Sequence, residues 1–265
     1  MIKIHIFHTG RVRVDQAIPH KEKNPLAVTG FLRSQEKKLV LPVSCYLIEH
    51  PKGRILIDTG WNSKYAVEKP NAFLNSISMP IISVGESVDC KMKHMGVTPA
   101  DIDCVFLSHM DFDHTSGLQL VRDAKRFMAS KEELEDSRKY FFRYVKSDWR
   151  GIELHPFSYQ ETGIGPVGRS YDVFGDKSVL LISTPGHTHG LFSVKISNGE
   201  KYVILAGDSI YTQRSIREKI IPGFTVNTKL AKRSLEWICN CVADENCVLV
   251  AANHDPTINE QTIEL

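Results

Sequence analysis

The segment LSHMDFDHTSG, residues 107–117, follows a short apolar run and crowds four possible metal ligands into six residues. Imidazole and carboxylate groups bind divalent ions without thiolate, and a loop between a strand and a helix can turn alternate residues toward one point. A polar turn is the alternative interpretation. The spacing permits two metal ions, and the donors are His109, Asp111, Asp113 and His114.

Three later segments place possible ligands where an apolar strand is predicted to stop. STPGHTHG follows SVLLI and contains His187 and His189, AGDSIY follows KYVIL and contains Asp208, and AANHD follows CVLV and contains His254. Each residue taken singly is explained as a cap or turn residue. Because strand ends converge on one edge of a sheet, where α/β proteins place their sites, the four clusters together predict a metal site.

This order of motifs resembles the metallo-β-lactamase superfamily from Ile55 to His254. The matching pattern is the aspartate of ILIDTG (55–60), an H-x-D-x-D-H form of H-x-H-x-D-H, then a histidine, an aspartate and a final histidine. The resemblance implies an α/β fold, a four-layer αββα sandwich, and a metal-dependent hydrolase. The chain length fits a single domain over residues 1–265.

The resemblance also implies two divalent metal ions, zinc above all. The first ion would be held by His109, Asp111 and His187, the second by Asp113, His114 and His254, and Asp208 would bridge them. Asp58 resembles the aspartate that orients these ligands and does not usually bind metal. A turn acceptor in Asp-Thr-Gly is the alternative role for Asp58.

Two positions depart from the family pattern. Asp111 stands where the family usually has a second histidine, and a carboxylate adds negative charge and hardness, so Mn or Fe is expected to compete with zinc there. His189 stands where many family members continue with a proline and another histidine. We expect His189 at the rim of the site, with contact to substrate or metal left open.

Within the superfamily, the branch that opens N-acyl-homoserine lactones is the most similar. The matching residues are the Asp208-Ser209-Ile210-Tyr211 segment and the final His254-Asp255 pair. This resemblance implies that a hydroxide bridging the metals attacks the carbonyl of such a lactone or a related one. Tyr211 would then be a catalytic hydrogen-bond donor, and Asp113 would accept and pass on a proton. A packed aromatic is the alternative for Tyr211.

Other functions use the same scaffold. Thioester hydrolysis of the glyoxalase II type remains open. Iron redox chemistry is a second alternative, because the flavodiiron branch also has a carboxylate at the position of Asp111. Adjacent Asp113 and His114 and the chain length argue against that branch. A non-catalytic metal-binding module is the third alternative, and the complete set of donors argues against it.

Composition and charge indicate which partners and which cellular compartment to expect. Lys and Arg number 33 against 31 Asp and Glu, a net charge of +2, so neither nucleic acid nor a membrane is expected as a partner. A small-molecule substrate is expected, and the oligomeric state is left open. The strand-like start MIKIHIFHTG and six cysteines without a CxxC pair favour a cytoplasmic protein with reduced thiols.

Periodicity predicts a coarse element map. It has strands at 40–50, 53–60, 104–107 and 124–130, helices at 86–96, 130–145 and 229–244, a helix start at 116–123, a hairpin at Asn198-Gly199 and a last strand from Cys247. Residues 61–84 are predicted to cross the surface as a lid or pocket wall. In the 130–145 helix, a capping box is predicted at Ser130 and Glu133, and the aromatics Tyr140, Phe141, Phe142 and Tyr144 are expected in the core.

Overall fold

Two β-sheets packed face to face form the centre of the computed structural model, which describes residues 1–30, 32–70, 72–140 and 143–265, without the side chain of Phe73. In these ranges the strands are β1 (Lys3–Asp15), β2 (Lys38–His50), β3 (Gly53–Ile57), β4 (Met79–Ile81), β5 (Cys104–Leu107), β6 (Phe127–Ser130), β7 (Leu154–Phe157), β8 (Gln160–Glu161), β9 (Arg169–Asp172), β10 (Val179–Ser183), β11 (Phe192–Asn198), β12 (Lys201–Leu205), β13 (Cys247–Ala251) and β14 (Gln261–Glu264). The helices are α1 (Ala72–Ile77), α2 (Val88–His94), α3 (Phe112–Thr115), α4 (Lys131–Lys139), α5 (Gln213–Arg217) and α6 (Thr228–Ala243).

The first sheet has the strand order β14-β1-β2-β3-β5-β6-β7, with β4 paired to β1, and the second has the order β13-β12-β11-β10-β9-β8. Neighbouring strands β3 and β5 are parallel, with Ile57 opposite Phe106, and so are β12 and β13, with Leu205 opposite Ala251. Because parallel neighbours end at the same edge, the segments after β3 and β5 lie together, and so do those after β12 and β13. Asn253, after β13, donates to Asp58, after β3, at 3.2 Å, so the two edges are adjacent.

Helices cover both outer faces, so the molecule has four layers. Apolar residues of both sheets, including Ile57, Phe106, Leu181 and Val203, interlock between the sheets. The outer face of the first sheet packs on α2 and α4. The outer face of the second packs on α6, which Asn227 caps through the backbone N–H of Leu230 at 3.1 Å. The predicted αββα sandwich is confirmed.

Most predicted elements are present, and several differ in extent. The strands predicted at 53–60 and 124–130 are shorter, Gly53–Ile57 and Phe127–Ser130. The long helix at 130–145 ends at Lys139, because the chain leaves the helical conformation at Tyr140. The helix start at 116–123 is a single 3-10 turn, 118–121. The 61–84 excursion contains a 3-10 turn, α1 and β4, and its Leu74 and Ile77 line a cavity, as a pocket wall should.

The side chains near α4 only partly follow expectation. Ser130 accepts one of the two hydrogen bonds of the predicted capping box, from the Glu133 N–H at 3.2 Å. The second bond, from the Ser130 N–H to the Glu133 carboxylate, is not formed, so that half of the prediction was wrong. The buried Glu133 carboxylate accepts from the Met110 N–H at 3.0 Å and the Tyr144 hydroxyl at 3.1 Å, which supports the loop after β5. Tyr144 is in the core as expected, whereas Tyr140 is 46% exposed. Phe141 and Phe142 lie outside the described residues.

Of the helices in the described ranges, none combines the length and apolar character that crossing a membrane requires.

Candidate metal centre

The loop after β5 brings its donors to one edge of the first sheet. The chain leaves β5 at Ser108, and His109 and Asp111 then face the same space, with His109 Nε2 3.5 Å from Asp111 Oδ2. The short helix α3 turns Asp113 and His114 toward that space as well. Gly117 lets this loop pack against the Asp58-Thr59-Gly60 turn, because a Cβ there would lie 2.2 Å from the Thr59 carbonyl oxygen. Sequence-distant residues then complete the cluster.

All seven predicted ligands meet at this edge. Their donor atoms form three overlapping groups, each within 4.8 Å: His109, Asp111 and His187; Asp113, His114 and His254; and His109, His114 and Asp208. We call the first group set A and the second set B. Sets A and B have the membership that the family resemblance implies for the first and second metal ions.

Asp208 lies between the two sets, with one oxygen facing each. Its Oδ2 is 3.9 Å from His109 Nε2 and 3.8 Å from His187 Nε2 in set A. Its Oδ1 is 3.5 Å from His114 Nε2 and 3.3 Å from His254 Nε2 in set B. This is the placement that a carboxylate bridging two ions requires.

The histidines are held in the state that suits a metal. Each has its Nδ1 atom within hydrogen-bond distance of an oxygen: Ser108 Oγ for His109 (3.1 Å), Asp58 Oδ2 for His114 (2.9 Å), the Phe224 carbonyl for His187 (2.5 Å) and the Pro42 carbonyl for His254 (2.8 Å). A donating Nδ1–H leaves the Nε2 lone pair directed inward.

Several of these inward atoms are buried without a partner. Among the described residues, Nε2 of His109, His114 and His254 and Oδ1 of Asp208 have no hydrogen bond of good geometry. Unpaired buried polar atoms are costly, and a cation would satisfy all of them. The residues therefore fit divalent metal ions.

Asp58 supports both histidines of the H-x-D-x-D-H motif. It accepts hydrogen bonds from the backbone N–H and the hydroxyl of Ser108, each at 2.7 Å, besides the contact with His114. Ser108 in turn accepts from His109. Asp58 is outside the three donor groups, so its placement agrees with the orienting role that the resemblance implies.

Asp111 has a partner that the sequence did not reveal. Arg143 Nε and Nη2 donate to its two carboxylate oxygens at 2.5 and 2.6 Å. Although burial favours the neutral acid, the Arg143 charge and the hydrogen bonds hold the pKa of Asp111 well below its usual value. The expected excess of negative charge at this position is therefore offset by a guanidinium.

In set B, nearby aspartates raise the pKa of the histidines. Burial favours neutral His114 and His254, but Asp208 and Asp113, with Asp58 at His114, raise the pKa of both imidazoles. Because both imidazoles must be neutral at Nε2 to bind a metal ion, metal binding at set B should depend on pH.

Tyr211 lies beside both sets at the end of an apolar cavity. Its ring stacks on His254 with centroids 4.8 Å apart and meets His187 edge-on at 6.0 Å. Burial, followed by the charges of Asp208 and Asp113, raises the pKa of the Tyr211 hydroxyl well above its usual value, so the group keeps its proton to donate. The cavity has a volume of about 450 Å³, and Asp111, Asp113, His187 and Tyr211 line it together with residues such as Val14, Leu74 and Phe224.

His189 takes no part in the donor groups found among the described residues. Its Nδ1 pairs with Asp136 Oδ2 at 2.6 Å, and its side chain is 43% exposed. This places it at the surface beside α4, and it is not among the residues that line the cavity. Cys239 and Cys241 lie on α6, outside the donor groups found among the described residues.

The fold and the paired donor sets define a metal-centred αββα protein. The metallo-beta-lactamase superfamily model matches residues 39–239, well over half of the chain, and the chain belongs to that superfamily.

Named relatives and solved structures agree with this assignment. The N-acyl homoserine lactonase AttM of Agrobacterium fabrum is 28% identical over 227 residues, 82% of each chain. A structure of a B. thuringiensis AiiA mutant with N-decanoyl-L-homoserine bound at its active site has a TM-score of 0.75 at 23% identity, covering 96% of this chain and 93% of that one. AidC, described as a dizinc quorum-quenching lactonase, has a TM-score of 0.65 at 17% identity, covering 97% and 88%.

Proposed function

We propose that this protein is a metal-dependent hydrolase that opens N-acyl-homoserine lactones or related lactones. The observation that carries the proposal is Asp208 between two donor sets at the end of an apolar cavity, with the protonated Tyr211 beside them. The relative AttM is named for this activity, and N-decanoyl-L-homoserine is bound at the active site of the AiiA mutant. Both support the same substrate class.

In this proposal, set A with Asp208 holds one divalent ion and set B with Asp208 holds the other. Zinc is the expected metal, which the dizinc description of AidC supports, with Mn or Fe as alternatives. Two such ions supply a water of near-neutral pKa and a polarised ester carbonyl when they are bound.

Two residues of the chain, Tyr211 and Asp113, supply the other catalytic groups. The Tyr211 hydroxyl donates a hydrogen bond to the carbonyl oxygen, where negative charge develops as the carbonyl is attacked. Asp113 takes a proton from the attacking water and returns it to the ring oxygen as the ester C–O bond breaks. The products are a carboxylate and a hydroxyl group on one molecule, with one proton released to solvent.

The cavity wall gives the acyl chain an apolar surface. Val12, Val14, Ile18 and Phe224 are among its lining residues, and an acyl tail that leaves water there gains about 0.8 kcal/mol per buried methylene. The lactone ring then lies toward Tyr211 and the tail toward the cavity mouth.

Two wider expectations belong to the same proposal. One hydrolase domain spans residues 1–265, supported by the pairing of β14 with β1, which joins the two ends of the chain in one sheet. The protein works in the cytoplasm, supported by its six free cysteines.

A substrate panel tests this function. The metal-loaded protein is given N-acyl-homoserine lactones, a thioester and a phosphodiester, and acid release is followed at constant pH. We expect lactone opening to be fastest, with Asp208→Asn as the inactive control. Faster thioester cleavage would show that thioesters, and not lactones, are the substrate class. Oxygen consumption without hydrolysis would overturn the proposal.

A further inference from the structure

Arg143 places a permanent cation inside set A. Besides its two hydrogen bonds to Asp111, its Nη1 donates to the His187 carbonyl at 3.1 Å, and its Nη2 lies 3.0 Å from His187 Nε2. The guanidinium packs over the Phe224 ring, 4.7 Å from its centroid, and its side chain is only 10% exposed. These five contacts therefore fix the group within the donor cluster.

The two sets differ in what remains for a metal. In set A, both Asp111 oxygens and the His187 Nε2 atom are engaged by Arg143, and only His109 Nε2 is unpartnered. In set B, Nε2 of His114 and of His254 is unpartnered, as is the Asp208 oxygen that faces them. Among the described residues, an arginine competes for donor atoms on the set A side of Asp208 only.

The chemistry of arginine makes this competition persistent. A guanidinium does not lose its proton in proteins, so it cannot relieve its repulsion of an incoming divalent ion by becoming neutral. The buried setting strengthens that repulsion compared with water. A metal ion entering set A must displace the Nη2 atom from His187 and share Asp111 with it.

We propose that Arg143 acts as an internal cation at set A, so that the protein loads its two metal positions unequally, set B first and tightly, set A second and reversibly. The inference rests on the proposed two-metal hydrolase. In the one-metal state the guanidinium remains at set A, facing the cavity that Arg143 also lines. Arg143 is on this account a positioning residue that controls metal occupancy.

Metal binding measured on the protein itself tests the inference. Metal-free protein is given Zn²⁺ in competition with a chromophoric chelator, and bound metal is counted by mass spectrometry. We expect two classes of site that differ by about tenfold or more in affinity, the scale on which groups around metal ligands act. Arg143→Gln should tighten the weaker class by about tenfold and leave the stronger class unchanged.

Further variants identify the classes. His187→Ala should remove the weaker class, and His254→Ala should remove the stronger one. Arg143→Lys keeps the positive charge but lacks the two N–H groups that bind Asp111 together. It should still load metal unequally at the two sets. Arg54→Gln is the matched control, because it breaks an arginine–carboxylate pair with Glu49 (2.9 Å) outside the donor sets and should bind metal as the wild type does.

The results separate the two proposals. Two metals bound with equal affinity would overturn the role of Arg143 and leave the hydrolase proposal standing. Weaker binding to set A in Arg143→Gln would also overturn it, since Arg143 would then be supporting Asp111 as a ligand. A wild type that binds no metal would overturn the two-metal hydrolase itself. The affinities of the two classes of site are compared in the wild type, so the test remains even if a variant misfolds.

Discussion

His114 Nδ1 lies 2.9 Å from Asp58 Oδ2, and this hydrogen bond joins the turn after β3 to the loop after β5. The contact directs His114 Nε2 into the space between the two donor sets. Asp58 itself has a φ of +59°, a conformation that few non-glycine residues adopt. Strained backbone of this kind is common at functional sites. Here it occurs at a residue whose carboxylate accepts hydrogen bonds from His114 and Ser108.

The first prediction concerns Asp58. Asp58→Asn keeps the size of the side chain but removes the charge that orients His114 and Ser108, so metal affinity should fall roughly 10-fold to 100-fold with the fold retained. Chelator competition measures the affinity. Asp103→Asn is the matched control, since Asp103 pairs with Lys125 (2.7 Å) away from the donor sets. Unchanged metal binding in Asp58→Asn would refute the orienting role.

The second prediction separates catalysis from metal binding at Tyr211. Tyr211→Phe keeps the ring that stacks on His254 and removes only the hydroxyl, so kcat should fall about 10²-fold to 10³-fold, as for the loss of one oxyanion donor. Metal content should not change. Loss of metal together with activity would show that Tyr211 acts on the ligands and not on the substrate.

The third prediction follows from the raised pKa values of His114 and His254. Both imidazoles must be neutral to bind metal, so metal binding near pH 7 should release protons, and affinity should rise with pH. In the metal-free protein the same shifts stabilise the fold at low pH, and that stabilisation is lost as pH rises through the raised pKa values. Calorimetry in buffers of different ionisation enthalpy counts the protons. Binding with no proton release would contradict the assignment.

The fourth prediction lies outside the cavity. Burial raises the pKa of Asp148 to about 7, and Thr115 donates the one hydrogen bond recorded for its carboxyl among the described residues. A raised pKa means that stability is lost as pH climbs from about 4 to about 7, by on the order of 1 kcal/mol per pH unit. Asp148→Asn should therefore exceed the wild type in stability at pH 8, and the margin should shrink at pH 5. Urea unfolding at both values measures it; an equal margin would contradict the shift.

The sequence predicted those parts of the fold that depend on local pattern. The buried run Cys104–Leu107 is a strand with the predicted bounds, and Asn198 and Lys201 close the predicted hairpin. The donors could be placed together because each follows a strand, and the order of the motifs resembles that of a family in which such strand ends meet. None of this required knowledge of distant contacts.

Arg143 could not be predicted in the same way. Its partner Asp111 is 32 positions away in sequence, and Arg143 lies beyond the end of α4 at Lys139. The amphipathic pattern, which continues past that point, predicted more helix. The helix α4 instead ends at Lys139 and Arg143 pairs with Asp111, so a tertiary ion pair accompanies the departure from local preference.

Metal removal and return tests the central claim most directly. Lactone opening by the purified protein is followed by acid release before chelation, after chelation and after stepwise return of Zn²⁺, with bound metal counted at each step. The account predicts that activity disappears with the metal and returns as the ions are restored. Lactone opening that persists in protein shown to be free of metal would contradict it.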